Sequence, residues 1–177
     1  MPRERTYSNA DGLVLGYGTH TPDNKIPAVA AERGVRKTIS MLITGTELEL
    51  TTPTAASLNP QGAIIKRGSL IKNATFVPTV AFTGATATLN IGTYKVGTIG
   101  TVDVGTGITS ASALTTIDTI GETLVCAGTL VNGAIAVGAT SDSDVEIVCY
   151  AGTAAFTAGK GILTIEYIEP NFASVAN

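Results

Sequence analysis

The sequence predicts an all-β fold, an antiparallel β-sandwich or jelly roll of about seven to nine short strands. We also expect one short helix and an extended N-terminal arm. Two observations predict the fold class. Residues 38–167 alternate short apolar runs with clusters of Gly, Thr, Asn and Asp, which is typical of strands separated by turns. Threonine dominates the polar residues, and its branched Cβ favours a pleated sheet over a helix.

Length and composition indicate one globular body. The chain has 177 residues, of which 44% are hydrophobic and only 14% charged. That hydrophobic content is enough for a core without metal or disulfide staples. The low charge predicts a surface of neutral Thr, Ser, Ala and Gly, which suits a protein partly covered by neighbours.

The apolar runs predict the strands in chain order. Glu47 and Glu49 alternate with Leu48 and Leu50, which is typical of a strand with one face in water. Pro78 limits where its own strand can pair. The predicted strands are residues 38–44, 47–51, 63–66, 69–80, 86–94, 123–131, 145–151 and 161–168, with 134–139 as a shorter candidate.

Turn signals fill the intervals between these strands. Residues 92–107, rich in Gly-Thr pairs, predict a hairpin or an extended loop with short strands. Residues 110–120 predict the one short helix, with Ser110 or Ser112 as its cap and Gly121 as its end. Asn132-Gly133 favours a tight hairpin, because both residues tolerate a positive φ.

Residues 1–37 form the predicted arm, and residues 38–177 the sandwich body. The arm has three prolines and no sustained hydrophobic period, and it holds six basic residues against four acidic ones. A segment of this kind suits an arm that orders on a partner, and a plain disordered leader is the alternative. Its candidate partner-binding residues are Leu13, Val14, Leu15, Tyr17, Arg33, Arg36 and Lys37.

The sequence contains few residues arranged for catalysis or for ligand binding. His20 is the only histidine, lies in the arm, and is expected to be a solvated loop residue. Asp142, Asp144 and Glu146 have the spacing of the start of a calcium loop but lack its glycine and distant glutamate. We therefore expect neither an enzyme nor a bound cofactor or metal.

The chain has two cysteines, too few for a disulfide framework. Cys126 and Cys149 lie in apolar runs and are expected to be buried free thiols, with a cross-strand disulfide as the alternative.

Residues 76–177 carry eight acidic residues against two basic ones, which disfavours nucleic acid as a ligand. No apolar stretch is long enough to span a bilayer, and the start of the chain has no hydrophobic signal segment.

Residues 62–168 resemble the capsid decoration, or cement, proteins of tailed bacteriophages. The segments that carry the resemblance are KNATFV (72–77), ATATLNIG (85–92), ASALTTI (111–117) and AGKGILTIEYI (158–168). The resemblance implies a non-enzymatic virion structural protein that binds the outer surface of a phage head and stabilises the capsid lattice. It further implies synthesis in the host cytoplasm, a major capsid protein as partner, and self-association as a homotrimer.

Other functions of the same fold are compatible with the sequence. A head-fibre, tail or host-adhesion protein would bind a receptor or polysaccharide at the tips of the sandwich, and binding that depends on Tyr94 or the loop around Asp103 would favour it. A bacterial carbohydrate-binding or surface-layer module is a third class. A hydrolase is the most distant one.

Overall fold

The computed structural model describes residues 5–8, 14–17, 35–48, 50, 63–98 and 101–169. The chain divides into two units, Met1–Glu32 and Arg33–Asn177. In the first unit, strand β1 (Arg5–Ser8) pairs antiparallel with β2 (Val14–Tyr17). The boundary predicted at residue 37 lies two residues inside the first strand of the second unit, which begins at Val35.

The described residues of the second unit form two four-stranded antiparallel sheets, which confirms the predicted all-β sandwich. Sheet I has the strand order β3-β10-β5-β8, and sheet II has the order β4-β9-β6-β7. The strands are β3 (Val35–Thr44), β4 (Ile64–Ile65), β5 (Leu70–Thr83), β6 (Thr88–Lys95), β7 (Val102–Ala113), β8 (Leu124–Val125), β9 (Val145–Ala151) and β10 (Ala158–Glu169).

The core lies between the two sheets because each strand turns every second side chain inward. Sheet I contributes residues such as Phe76 and Leu163, and sheet II contributes residues such as Ile91 and Ile147; all four are fully buried. Phe82 packs edge-on against Phe76, with ring centroids 5.5 Å apart. Long aliphatic side chains on facing strands therefore supply most of the hydrophobic stabilisation.

The helix predicted for residues 110–120 is wrong. Strand β7 continues to Ala113, and only a single 3₁₀ turn, Leu114–Thr116, follows it. Ala111 has a positive φ of 46°, and its N–H donates to the side-chain oxygen of Asn90 across the ladder at 2.7 Å. That hydrogen bond competes with a helical one, so the segment stays extended.

The strand predicted for residues 47–51 is wrong in the described part, and that for residues 123–131 is confirmed only at Leu124–Val125, because both segments cross between the sheets. Gly45–Glu47 is a 3₁₀ turn, and Leu50 then forms a lone bridge to Ala151 in sheet II. Only Leu124–Val125 is a strand in the second segment. Beyond it the backbone N–H of Cys126 donates to sheet I, and those of Gly128 and Leu130 donate to β7 of sheet II.

The predicted turn at Asn132-Gly133 has the expected backbone but a different role. Both residues have positive φ, 70° and 68°, yet they lie in a 3₁₀ turn, Val131–Gly133, that joins no hairpin. Residues 134–139, a candidate strand, form turns instead.

Pro78 lies in a part of β5 that pairs with β10 on one side and, among the described residues, has no paired strand on the other. Strand β8 pairs only with Thr75 and Phe76. Pro78 lies opposite Gly161 at a register shift, and its carbonyl accepts from the N–H of Gly121 at 2.9 Å. The proline therefore costs no ladder hydrogen bond on that side.

The buried carboxylate of Asp103 ties a loop to sheet II. It is 5% exposed and accepts from the Thr93 hydroxyl at 3.0 Å. It also accepts from three backbone N–H groups, those of Gly138, Thr140 and Ser141, at 3.2, 3.2 and 2.8 Å. Four donors at one carboxylate satisfy the groups that this loop would otherwise bury without partners.

We predict that Asp103→Ala lowers the free energy of unfolding by about 3 kcal/mol, because several buried donors lose their acceptor. Urea denaturation followed by circular dichroism measures the change. The matched control is Asp118→Ala, which removes an exposed carboxylate that accepts a hydrogen bond from the hydroxyl of the adjacent Thr119. Equal midpoints for the two variants would contradict the role given to Asp103.

Candidate functional site

The middle of the outer face of sheet II is buried. Tyr94 and Val148 point away from the main core and form a second buried cluster. A Cβ at Gly92 would overlap the backbone of Val104 and Gly105, so the glycine lets β7 lie tightly over β6 at this point. Burial raises the pKa of Tyr94 to about 12. The middle of this face is therefore closed, while Ile64 and Val102 on its edge strands are 48% and 40% exposed.

The outer face of sheet I carries a row of aliphatic side chains in water. Strand β10 buries Leu163, Ile165 and Tyr167 and turns the residues between them outward. Ile162 lies opposite Leu42 of β3 on one side and Val77 of β5 on the other. Leu42 is 47% exposed and Ile162 39% exposed. Cross-strand neighbours lie about 5 Å apart, so the three side chains form one continuous row.

The neighbouring positions extend this row and add one charged residue, Lys160, which lies opposite Val80. Val80 and Val125 are 46% and 65% exposed and belong to the flanking rows. The next row across the sheet is Ser40, Thr164, Thr75 and Val125. We call the set Leu42, Val77, Val80, Val125 and Ile162 the aliphatic face.

Charged groups gather at one end of sheet I. The carboxylate of Glu169 pairs with the Lys37 ammonium and, at 2.8 Å, with that of Lys66. Its pKa is lowered, first by the hydrogen bond from Lys37 and then by that from Lys66. The same contact raises the pKa of Lys66. Lys37 lies opposite the buried Tyr167, and Glu169 shares the parity of the buried residues of β10, so the cluster closes the core side of this end of the sheet.

Two of the carboxylates spaced like a calcium loop, Asp142 and Asp144, bind Arg67. Asp142 forms an ion pair with the Arg67 guanidinium, and Asp144 accepts from the backbone N–H of Arg67 at 2.9 Å. Within the described ranges, no cluster of three or more His, Cys, Asp or Glu side chains is arranged to hold a metal ion.

The candidate partner-binding residues of the arm fall in different places. Leu13 and Arg33 lie outside the described residues. Val14, Leu15 and Tyr17 belong to β2, whose backbone pairs with β1. Arg36 and Lys37 belong to β3 in the body, where Arg36 is exposed and Lys37 binds Glu169.

The sequence contains a signal for the aliphatic face that the strand assignment alone does not use. Strand β3 has three consecutive aliphatics, Met41, Leu42 and Ile43, and β10 has Ile162 directly before Leu163. In a strand with one buried face, consecutive aliphatics place at least one of them in water. An exposed row follows only when the two strands are known to pair in this register.

The two features named for receptor or polysaccharide binding are engaged inside the protein. Tyr94 is 3% exposed, and the carboxylate of Asp103 holds the loop at residues 138–141. Neither group is free to contact a sugar on the surface.

Both cysteines are buried free thiols, as the sequence predicts. Burial raises the pKa of the Cys126 thiol to about 11, and burial raises that of Cys149 as well. Such thiols react poorly because the thiolate is the nucleophile.

No helix in the described part of the chain has the length and apolar character needed to cross a membrane.

Comparisons with known proteins give two structural likenesses. No family model and no curated protein matches the chain. It is similar to a chain of the cyanophage Pam1 capsid asymmetric unit, with 17% identity, a TM-score of 0.40, and coverage of 86% of this chain and 98% of that one. It is also similar to a chain of the capsid of Ralstonia phage GP4, with 18% identity, a TM-score of 0.42, and coverage of 86% and 91%. Likeness of this degree assigns neither a family nor a function.

We predict that Glu169→Gln destabilises the protein at neutral pH and that its difference from wild type shrinks in acid. The folded carboxyl has a pKa below its ordinary 4.5. Its ion pairs therefore stabilise the protein above that value, and this stabilisation is lost as the pH falls through the lowered pKa. Urea unfolding at pH 7 and at about pH 3 measures both differences.

The control for this prediction is Glu166→Gln on the same strand. Glu166 has no ion pair among the described residues, so its removal should change stability little at either pH. A Glu169→Gln deficit that stays constant from neutral to acid pH would show that the ion pairs are not its cause.

Proposed function

We propose that this protein is a non-enzymatic virion structural protein that binds the outer surface of a phage head and stabilises the capsid lattice. The observation that carries the proposal is the aliphatic face: three strands of sheet I hold an uncharged row in which Leu42 and Ile162 are exposed and Val77 is half-buried. The partner that the resemblance of residues 62–168 suggests is the major capsid protein.

The chemistry of the aliphatic face fits a protein partner. Its centre is apolar, one flanking row is Ser40, Thr164, Thr75 and Val125, and the other is Thr44, Lys160 and Val80. Protein interfaces have this arrangement of an apolar centre and a polar rim. A polyanion would need clustered cations at the centre, and the charged group there is the single Lys160 next to Val80.

The aliphatic face alone is small for a stable complex. Strands lie about 4.8 Å apart, so three strands offer much less than the roughly 800 Å² per partner of a standard interface. Two further contributions would supply the rest. The arm would add contacts through Leu13, Val14, Leu15, Tyr17 and Arg33, with Arg36 and Lys37 at its junction with the body.

Self-association as a homotrimer is the second contribution. Several weak contacts made together bind far more tightly than one alone. A decoration protein of this kind binds only the assembled lattice, so its binding free energy stabilises the assembled head over separated subunits. Its place in the mature particle would be the outer capsid surface.

We predict that Ile162→Lys abolishes binding to phage heads without unfolding the protein. The substitution puts a charge at the centre of the aliphatic face, where a bound partner would desolvate it. Co-sedimentation with heads that lack this protein measures binding, and circular dichroism checks the fold. The matched control is Ile64→Lys, since Ile64 is 48% exposed on β4 of sheet II.

Loss of binding in Ile162→Lys but not in Ile64→Lys supports the aliphatic face as the contact. Equal binding by the two variants, both folded, would exclude it.

We predict that removal of residues 1–32 leaves a folded body that binds heads at least tenfold more weakly, a loss of about 1.4 kcal/mol. The cut ends before Val35, so β3 and the Lys37–Glu169 pair stay intact. Thermal unfolding tests the body, and titration onto heads tests affinity. Unchanged affinity would assign all head contacts to the body.

A further inference from the structure

Strand β3 has an open edge, whereas the other sheet edges in the described residues are short or covered. β8 and β4, at two of the edges, are two residues long each. β7, at a third edge, accepts from the N–H groups of Gly128 and Leu130. β3 spans ten residues, and its described backbone partners all belong to β10.

Beyond Arg36 and Lys37 at its start, this edge lacks the features that prevent pairing with another chain. Its register with β10 is continuous over all ten residues, without a bulge. Residues 38–44 contain no proline and no charge. Natural sheets protect long edges with prolines, bulges, charges or short strands. An unprotected edge of this length is a template for strand addition.

We propose that the edge of β3 pairs antiparallel with β3 of a second copy, which joins the two copies of sheet I into one eight-stranded sheet. Charge selects this occupant and this direction. Arg36 lies near the start of β3 and Glu47 just after its end, and neither has an ion pair among the described residues. Antiparallel pairing brings each Arg36 towards Glu47 of the other copy, whereas parallel pairing sets the two arginines side by side.

Side-chain parity selects the register. Opposed residues in an antiparallel ladder point to the same face, so even-numbered positions must meet even-numbered positions. With Ser40 opposite Ser40 on the two-fold axis, Thr38 meets Leu42, Arg36 meets Thr44, and residues 36–44 all pair. A shift that centres Ile39 sets Arg36 against Leu42, and a shift that centres Met41 shortens the ladder. The Ser40-centred register therefore avoids a charge against Leu42 and keeps the longer ladder.

The proposed register makes a cysteine at position 40 a direct test. Opposed Cα atoms across such a pair lie about 4.5–5.5 Å apart, within the range for a disulfide. Ser40→Cys in the purified full-length protein should form a covalent dimer under mild oxidation. Thr164→Cys is the matched control, because Thr164 lies in the same row one strand further in, about 14 Å from its own copy across the axis. The native thiols are buried and should not cross-link.

Sedimentation velocity tests the non-covalent contact. The mass of the sedimenting wild-type species should double as the concentration rises. If the species at low concentration is a trimer formed through other surfaces, the mass of that trimer should double in the same way. Ser40→Lys places like charges opposite each other on the axis and should weaken the doubling at least about tenfold. Thr153→Lys, exposed in the loop after β9, should leave it unchanged. Equal cross-linking of the two cysteine variants, or a wild-type protein that does not double, would overturn the proposal. Neither experiment uses phage heads, so the outcome is independent of head binding.

Discussion

The register of β10 fixes both the core and the candidate interface. This strand pairs with β3 over ten residues and with β5 over most of its length. Its odd-numbered aliphatic residues enter the core, and its even-numbered residues reach water. A slip of one residue would exchange the two sets, placing Ile162 and Thr164 inside and Leu163 and Ile165 outside. The large cost of that exchange makes the exposed row as well defined as the core.

The ion pairs of the described residues hold the periphery of the protein together and leave the row Leu42, Ile162 and Val77 uncharged. Asp103 secures the loop at residues 138–141, Glu169 joins two lysines at the end of sheet I, and Arg67 contacts Asp142 and Asp144. Asp103 and Arg67 hold segments that have left the regular ladders, whereas Glu169 links its own strand to a lysine of β3 and to Lys66. The low charge content is therefore compatible with an ordered sandwich and with an uncharged surface at the centre of sheet I.

The sequence predicts the elements that stay within one sheet and fails where the chain changes sheets. Strand β9 begins and ends at the predicted residues, and β3, β5, β6 and β10 lie within a few residues of theirs. Residues 45–50 and 126–130 are apolar enough to suggest strands, yet they connect the two layers. Their hydrogen-bond partners are distant in sequence, so local alternation carries no information about them. The helix at residues 110–120 failed for the same reason, because Asn90 supplies the competing acceptor.

The candidate interface was also beyond local sequence patterns. Leu42 and Ile162 are 120 positions apart along the chain and become neighbours only through pairing. Their exposure could be anticipated from consecutive aliphatics, but not their arrangement in one row. The basic residues chosen from the arm, by contrast, followed from composition alone, and Lys37 turns out to bind Glu169.

Because the two free thiols are buried, their reactivity reports how often the protein opens locally. Cys126 and Cys149 sit between the sheets, with pKa values raised by their apolar surroundings. An alkylating reagent can modify them only when the layers separate enough to hydrate the sulfur. The labelling rate of each thiol is thus a direct gauge of how often that part of the sandwich opens under native conditions.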